Sequence, residues 1–295
     1  MNNNNKRDTV GNWIAYGSLR AFIIFSSILP KSFIYAVMKM LTLAFYHVSS
    51  RRQKITIDNL TQAFPSKSKD EIEKLSKDVF VELSKTISEI LFMVSKKFDI
   101  DEVIVNKNEA LEKLKTLKDK HKNGWIVITA HFSNWEIAAQ FLAKHDCPML
   151  AIGREGDNRL IDKNITLPLR QMYGNSTAYK KNAAMSIFKT LKKGNNVGVL
   201  IDQKTSESEG VQTKFFGRDV YTTAVVALMR EKLDVTVVPI FLVRMKDGNY
   251  KLIVKDPIME SGDISKMTQS YSDVMESIIR EYPEQWFWMH NRWKK

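Results

Sequence analysis

Short apolar runs alternate with longer segments of helical periodicity along most of this chain. The runs are rich in β-branched residues, which is typical of buried strands, and they lie at 125–129, 149–152, 197–201, 235–243 and 250–254. Apolar residues spaced three or four positions apart predict helices at 109–121, 157–170, 182–193, 222–232 and 266–281. This alternation predicts an α/β fold, with a mixed, mostly parallel central sheet flanked by helices.

Local signals mark where some helices begin, end and face the core. Ser68 with Glu71 forms a capping box before a helix with a periodic apolar face. That face consists of Ile72, Leu75, Val79, Leu83, Ile87 and Ile90. The helix at 182–193 is predicted to end at Gly194. Its inward side chains are predicted to be Met185, Phe188 and Leu191. Residues 204–217 are predicted to form a loop.

Residues 1–54 are both apolar and basic, with eight Lys or Arg residues against a single acid, Asp8. Two helices are predicted, near 13–29 and 32–48, with a hinge at Pro30. The apolar stretches 21–30 and 40–50 carry no charge, but both are shorter than the ~20 residues of a spanning helix. We therefore expect an N-terminal helical membrane anchor that is embedded in the membrane or lies at its interface.

Two alternatives for the N-terminal segment stay open. A spanning helix would have to tolerate Arg20 or Lys31 near its ends by snorkelling, and an ordinary buried helical hairpin would need no membrane. In the membrane interpretation, Arg51, Arg52 and Lys54 lie at the cytoplasmic face. The chain then divides into an anchor at 1–54 and a second domain at 55–295.

Composition excludes several classes of protein. With 44% apolar and 26% charged residues, the 295-residue chain is globular rather than disordered. A single cysteine, Cys147, excludes an intrachain disulfide framework and a Cys-rich zinc site. The net charge of +12 is concentrated partly in the apolar N-terminal segment, which favours an anionic lipid surface as partner and not nucleic acid.

Polar residues follow three of the predicted strands, namely His131, Arg154 and Asp202. Because α/β proteins bind ligands at the carboxyl ends of their strands, these residues are candidates for one site. Each has an ordinary alternative: Arg154 can pair with Glu155 or Asp157 at the surface, and Asp202 can cap a turn.

The segment from His131 to Glu136 allows two interpretations. In one, Ser133 and Glu136 form a capping box for the next helix. In the other, Glu136 lies beside the imidazole, fixes its tautomer and stabilises its charged form, as a general base requires. The segment alone does not decide between them.

Several blocks, in order, resemble the lipid A late (secondary) acyltransferases of the glycerolipid acyltransferase superfamily. The stretch from His131 to Glu136 is similar to their His-x4-acid signature. Further similar blocks are Arg154 with 157–162, 189–203 ending in Asp202-Gln203, Phe215-Phe216-Gly217 followed by Thr222-Thr223 and Pro239, and the closing segment 282–294. One departure is Lys180-Lys181, which stand where we expect an arginine. The resemblance covers nearly the whole chain.

The resemblance implies an O-acyltransferase and assigns roles to residues. The acyl donor is a thioester of acyl carrier protein or, as second choice, coenzyme A, and the acceptor is a hydroxyl of a lipid A precursor. His131 is the expected general base and Glu136 its orienting carboxylate, with no metal or other cofactor. The expected substrate-binding residues are Arg154, Arg170, Lys180, Asp202, Gln203, Phe215, Phe216 and Gly217. The expected location is the bacterial inner membrane, with the active site facing the cytoplasm.

The arginines among these residues would contact substrate phosphates or the developing oxyanion. Asp202 and Gln203 would orient the cations or the thioester. The adjacent Phe215 and Phe216 would line an apolar channel, although core packing is the commoner role for such a pair.

Other functions fit the same sequence less well. The acceptor could be another glycolipid, such as a phosphatidylinositol mannoside, since catalytic motifs do not distinguish acceptors. A metal hydrolase with His131 and Glu136 as ligands would lack the usual His-Glu-x-x-His spacing and has only His145 nearby. In a non-catalytic basic membrane protein, both residues would be structural.

Overall fold

A computed structural model describes residues 9–121, 123–179 and 183–293 of the chain. Its centre is a six-stranded sheet in the order β3-β2-β4-β1-β7-β8, and a two-stranded sheet pairs β5 with β6. The strands are β1 (Trp125–Thr129), β2 (Met149–Gly153), β3 (Ser176–Tyr179), β4 (Asn196–Leu200), β5 (Gly210–Phe215), β6 (Arg218–Thr223), β7 (Thr236–Arg244) and β8 (Tyr250–Val254). All neighbours in the large sheet are parallel except β7 and β8. The predicted mixed, mostly parallel α/β sheet is confirmed.

Helices flank this sheet and precede it. They are α1 (Val10–Ile28), α2 (Lys31–Val48), α3 (Ser50–Ala63), α4 (Lys69–Val94), α5 (Ile100–Val103), α6 (Lys107–Lys120), α7 (Trp135–Lys144), α8 (Arg159–Ile161), α9 (Leu167–Arg170), α10 (Ala183–Lys192), α11 (Val225–Leu233) and α12 (Ile264–Glu281). A π-helical turn, Asp162–Thr166, joins α8 to α9. The Ser68–Glu71 capping box forms at the start of α4, as predicted.

The N-terminal segment forms the two predicted helices, α1 and α2, with Pro30 between them. One face of α2 packs against α4 through Ile34 and Met38, which contact Leu91 and Phe92 in one cluster. Many other apolar side chains of the two helices are exposed: Trp13, Ile14, Ile24, Phe25, Ile28, Phe33, Met40, Leu41, Phe45 and Val48. This exposure does not fit an ordinary buried hairpin. In the described part of the chain, no helix combines the length and apolarity that crossing a bilayer requires.

The sheet separates two apolar clusters, because successive strand residues point to opposite faces. One cluster includes Ile126, Ile187 and Val199, and the other includes Val127 and Met149. Helices therefore pack against both faces of the sheet.

The predicted loop at 204–217 is wrong in part, since it contains β5 and the turn of a hairpin. Phe216 and Gly217 have φ of 52° and 72°, the left-handed pair that a two-residue hairpin turn requires. Thr222 pairs with Val211 across this hairpin, so the next helix begins at Val225 and not at Thr222. The hairpin segment is mostly polar and has few apolar residues to mark a buried face, so its sequence did not indicate a strand.

The predicted inner face of α10 is also partly wrong. Met185 is 57% exposed, and Ile187 is buried with Leu191 instead. The side of α10 that faces the core is therefore the one with Ile187 and Leu191, which are four positions apart on one helical face. Cys147 is buried.

Candidate active site

Three predicted site residues come together because β4 lies between β1 and β2. The three strands are parallel, and the register aligns Thr129 with Leu200 and Ala151 with Gly198. His131, Arg154 and Asp202 each follow the carboxyl end of one of these strands. The sheet therefore gathers them at a single edge, as the sequence predicted.

The partner of the His131 imidazole is Asp202. The imidazole Nδ1 lies 2.9 Å from Asp202 Oδ1, while Oδ2 accepts from the His131 backbone N–H at 3.0 Å and from Trp286 Nε1 at 2.8 Å. Because a carboxylate only accepts hydrogen bonds, Nδ1 must carry the proton. In the neutral imidazole Nε2 is then the nitrogen that can accept a proton, and Gln203 Nε2 lies 3.4 Å from it.

Asp202 is buried but ionised. Burial by itself raises the pKa of its carboxyl. The positive charge of a protonated His131 and the hydrogen bonds from His131 and Trp286 outweigh this effect, so that the pKa falls to about 2. The carboxylate thus keeps its negative charge and its two acceptor oxygens at any ordinary pH. It can hold the imidazole in one tautomer, which is the role that the sequence assigned to Glu136.

The expectation that Glu136 orients His131 is wrong. Glu136 Oε1 accepts from Arg170 Nε at 3.2 Å and from Arg170 Nη2 at 3.0 Å. The Ser133–Glu136 capping box is also wrong, because Asn134 is the cap of α7 and its side chain accepts from the Ile137 N–H at 3.2 Å. Ser133 has a left-handed φ of 51°, and its buried hydroxyl makes no hydrogen bond within the described chain.

Of the two predicted cations that the structure describes, Arg154 and Arg170, the second is fixed by the site. Its side chain is 26% exposed, and it passes over Gly153, where an added Cβ would lie only 3.1 Å from Nη1. Arg154 is largely exposed and pairs with Asp157, which is the surface alternative left open by the sequence. Lys180 lies outside the described residues.

Phe215, Phe216 and Gly217 are not at the site, and the predicted apolar channel there is wrong. Phe215 and Phe216 are buried in a cluster of aromatic rings, and Gly217 forms the hairpin turn beside them. The rings that contact the pair belong to Phe64, Trp286, Trp288 and Trp293. These contacts hold the closing segment of the chain against β5.

That closing segment supplies site residues to which the sequence gave no role. Trp286 donates to Asp202, and the Phe287 N–H donates to the His131 carbonyl at 3.0 Å. Arg292 is 1% exposed and donates through Nη1 to the Gln203 carbonyl at 2.8 Å. The dense run of aromatics from 286 to 288 was the available signal, but nothing in its spacing indicates that it folds back onto His131.

A cavity of about 700 Å³ opens beside His131. Its polar lining includes His131, Glu136, Arg154, Arg170 and Gln203. Most of its remaining lining is apolar and comes from both faces of the sheet: Val127, Ala138, Leu142, Met149, Ile152, Ile187, Val199, Leu228, Met229 and Ile240. In the described ranges, no group of three His, Cys, Asp or Glu side chains could hold a metal ion. The arrangement suits an apolar ligand whose reactive group lies at the imidazole.

Comparisons with known proteins place the whole length of the chain in one family. The model of the family described as bacterial lipid A biosynthesis acyltransferase matches residues 2–295. The chain is 27% identical, over 255 residues, to a lipid A biosynthesis palmitoleoyltransferase of Escherichia coli (strain K12), covering 83% of this chain and 79% of that protein. It is 26% identical, over 250 residues, to a lipid A biosynthesis lauroyltransferase of the same strain, covering 83% of this chain and 79% of that protein. A lipid A biosynthesis acyltransferase of Haemophilus influenzae is 22% identical over 252 residues, covering 84% of this chain and 79% of that protein.

Proposed function

Because the chain belongs to the bacterial lipid A biosynthesis acyltransferases, which are O-acyltransferases, we propose that it acylates a hydroxyl of a lipid A precursor from an acyl thioester. The observation that carries this proposal is the His131–Asp202 pair at the polar end of a large apolar cavity. A thioester has an acyl chain to bury and a carbonyl to present, and the cavity offers a place for each.

His131 is the general base of this reaction. The acceptor hydroxyl is a poor nucleophile, so Nε2 takes its proton as the oxygen attacks the thioester carbonyl. The new C–O bond forms, the C–S bond breaks, and the proton passes from Nε2 to the leaving thiolate. Asp202 accepts the Nδ1–H throughout and stabilises the imidazolium while it exists.

Arg170 is the best-placed cation for the substrate phosphates or the developing oxyanion. Its guanidinium is fixed through Nε and Nη2 by Glu136, a carboxylate that is 11% exposed. A guanidinium pre-oriented in this way meets an anion with little loss of side-chain freedom. Glu136 is therefore a positioning residue for Arg170. Arg154, at the more exposed rim of the cavity, contacts the head group, and Gln203 contacts the thioester beside Nε2.

The preferred candidate for the acyl donor is a thioester of acyl carrier protein, and a thioester of coenzyme A is the second candidate. Residues 55–295 form the catalytic domain, and the family resemblance that gives the acceptor also gives this donor. The reaction uses the acyl thioester as co-substrate and needs no metal, since the imidazole and the arginines supply base and electrophilic stabilisation.

Residues 1–54 are the anchor that holds the enzyme on the cytoplasmic surface of the inner membrane. In support, the exposed apolar side chains of α1 and α2 occur together with Arg20, Lys31 and Lys39, as an anionic lipid surface requires. A hydrogen bond of 2.9 Å from Asn158 Nδ2 to the Asn12 carbonyl ties α1 to the chain that follows Arg154. The anchor thus lies beside the cavity rim, where a lipid substrate would enter.

The decisive experiment is acyl transfer by purified His131→Ala protein, with a lipid A precursor and acyl-carrier-protein thioesters as substrates. We expect a loss of at least about 10²-fold, as for a missing general base. The matched control is His145→Ala, since His145 is bonded to Asp101 and is not among the described residues that line the cavity. Near wild-type transfer by His131→Ala would contradict the mechanism and favour a structural His131.

A further inference from the structure

The apolar part of the cavity continues from His131 into the space between α7 and the sheet. On that face, Val127, Gly198 and Ala151 are neighbours in register across β1, β4 and β2. All three line the cavity, as do Ala138 and Ala139 from α7 above them. Small side chains on both walls leave a slot between helix and sheet, where larger residues would close-pack.

Met149 closes the far end of this slot. It is 6% exposed and belongs to the same apolar cluster as Val127 and Leu142. Its sulfur occupies the space in which a Cβ on Gly198 would lie, and its Cγ is 3.4 Å from that position. Gly198 therefore has to be glycine for Met149 to lie flat against β4, and the two residues together set the depth of the slot.

Several other apolar lining residues belong to the opposite face of the sheet. Ile187 and Val199 belong to the apolar cluster that also includes Ile126, and Met229 packs against that cluster. The cavity thus has two apolar lobes, one on each side of the β4 carboxyl end. The lobe under α7 is the one with paired small residues on both walls and a flexible thioether at its end.

We propose that the slot between α7 and the sheet holds the donor acyl chain, and that Met149, lying over Gly198, sets the length of the chain transferred. This inference rests on the proposed acyl transfer. A chain that fits the slot buries every methylene, whereas a longer chain must displace the Met149 thioether and a shorter chain leaves part of the slot empty. Selectivity then depends on the volume at these two positions.

The test measures kcat/KM for acyl-carrier-protein thioesters from decanoyl to stearoyl, with wild type, Met149→Ala and Gly198→Ala. Met149→Ala deepens the slot, so the preferred chain should lengthen by about two methylenes. The relative kcat/KM of the longer chain should rise at least about tenfold, as methylene discrimination in an apolar pocket allows. Gly198→Ala pushes the thioether out of place and should shorten the preferred chain by a similar step.

Met229→Ala is the matched control, because it removes the same atoms from the lobe on the other face. We expect its chain-length profile to equal that of wild type. Each variant is checked for folding by its melting curve, and since the two slot variants shift selectivity in opposite directions, either folded one decides the question.

The outcomes separate this inference from the function on which it rests. If wild type transfers acyl chains and a folded Met149→Ala keeps the wild-type profile, the slot is not the acyl site and the inference is overturned. A shift in Met229→Ala without one in Met149→Ala assigns the acyl chain to the opposite lobe and overturns it as well. No transfer by wild type from any thioester refutes the proposed function, and the inference falls with it.

Discussion

Replacing Asp202 by asparagine should stop catalysis by changing the tautomer of His131 and leaving its position unchanged. Asp202 Oδ2 accepts two N–H groups, from the His131 backbone and from Trp286. In Asp202→Asn the amide oxygen must take this position, since the NH2 group cannot accept. The NH2 group is then left facing Nδ1, at the 2.9 Å now spanned by Oδ1. Nδ1 becomes an acceptor and Nε2 carries the proton.

The magnitude follows from this exchange of protons. A neutral imidazole protonated at Nε2 cannot take the proton of the acceptor hydroxyl, and the imidazolium loses its carboxylate partner. The same substitution in a hydrolase triad with this geometry lowers kcat by about 10⁴-fold. We expect a loss of that order here, equivalent to about 5 kcal/mol of transition-state stabilisation.

Two assays check the prediction. Transfer from an acyl-carrier-protein thioester to a lipid A precursor, followed by product mass, gives kcat and KM. The ring-nitrogen chemical shifts of His131, labelled with ¹⁵N, report which nitrogen carries the proton. We expect kcat to fall with KM almost unchanged, together with a switch of the proton from Nδ1 to Nε2.

Glu136→Gln is the control, because Glu136 holds Arg170 and not the imidazole. It should leave the His131 tautomer as in wild type and act mainly on KM. The reasoning is refuted if folded Asp202→Asn keeps its rate within about tenfold of wild type, or if Glu136→Gln alone changes the tautomer.

The same variant gives a stability readout with a definite sign. The pKa of Asp202 is about 2 in the folded chain and 3.8 when unperturbed. A depressed pKa contributes stability that is present above pH 3.8 and lost as the pH falls from there toward 2, because the unfolded chain binds the proton first. The contribution is about 2 kcal/mol. Urea unfolding between pH 2 and 5 should show this loss in wild type and a smaller one in Asp202→Asn.

Two further predictions concern the aromatic cluster and the anchor. Phe216→Ala should lower the free energy of unfolding in urea by about 3–5 kcal/mol, because Phe216 is 5% exposed among other rings. The acyl-chain length that the enzyme prefers should not change. A change in that preference would show that Phe216 lines an acyl channel after all. Phe25→Asp should weaken sedimentation with anionic vesicles by at least about tenfold, since Phe25 is 58% exposed on α1, whereas Met259→Asp, at 69% exposed outside the anchor, should not. Equal loss in both variants would contradict the anchor.

Local rules were sufficient wherever neighbouring residues decide the structure. The Ser68–Glu71 cap, the helices on either side of Pro30 and the strand Trp125–Thr129 all follow from contacts within a few positions. The gathering of His131, Arg154 and Asp202 at one edge also follows, because parallel strands align their carboxyl ends. Residues 210–223 show the limit of such rules, since the Phe216-Gly217 turn joins strands without a clear apolar alternation.

The sequence by itself determined the fold class, the imidazole at the end of β1 and the set of polar residues near it. Only the tertiary structure decided how that set is paired. Glu136 is five positions from His131, yet it bonds Arg170, while Asp202 is 71 positions away and holds the imidazole. Spacing along the chain fixes which elements exist, but hydrogen bonds need distances near 3 Å, and these are set by strand order and by the closing segment that brings Trp286 to Asp202.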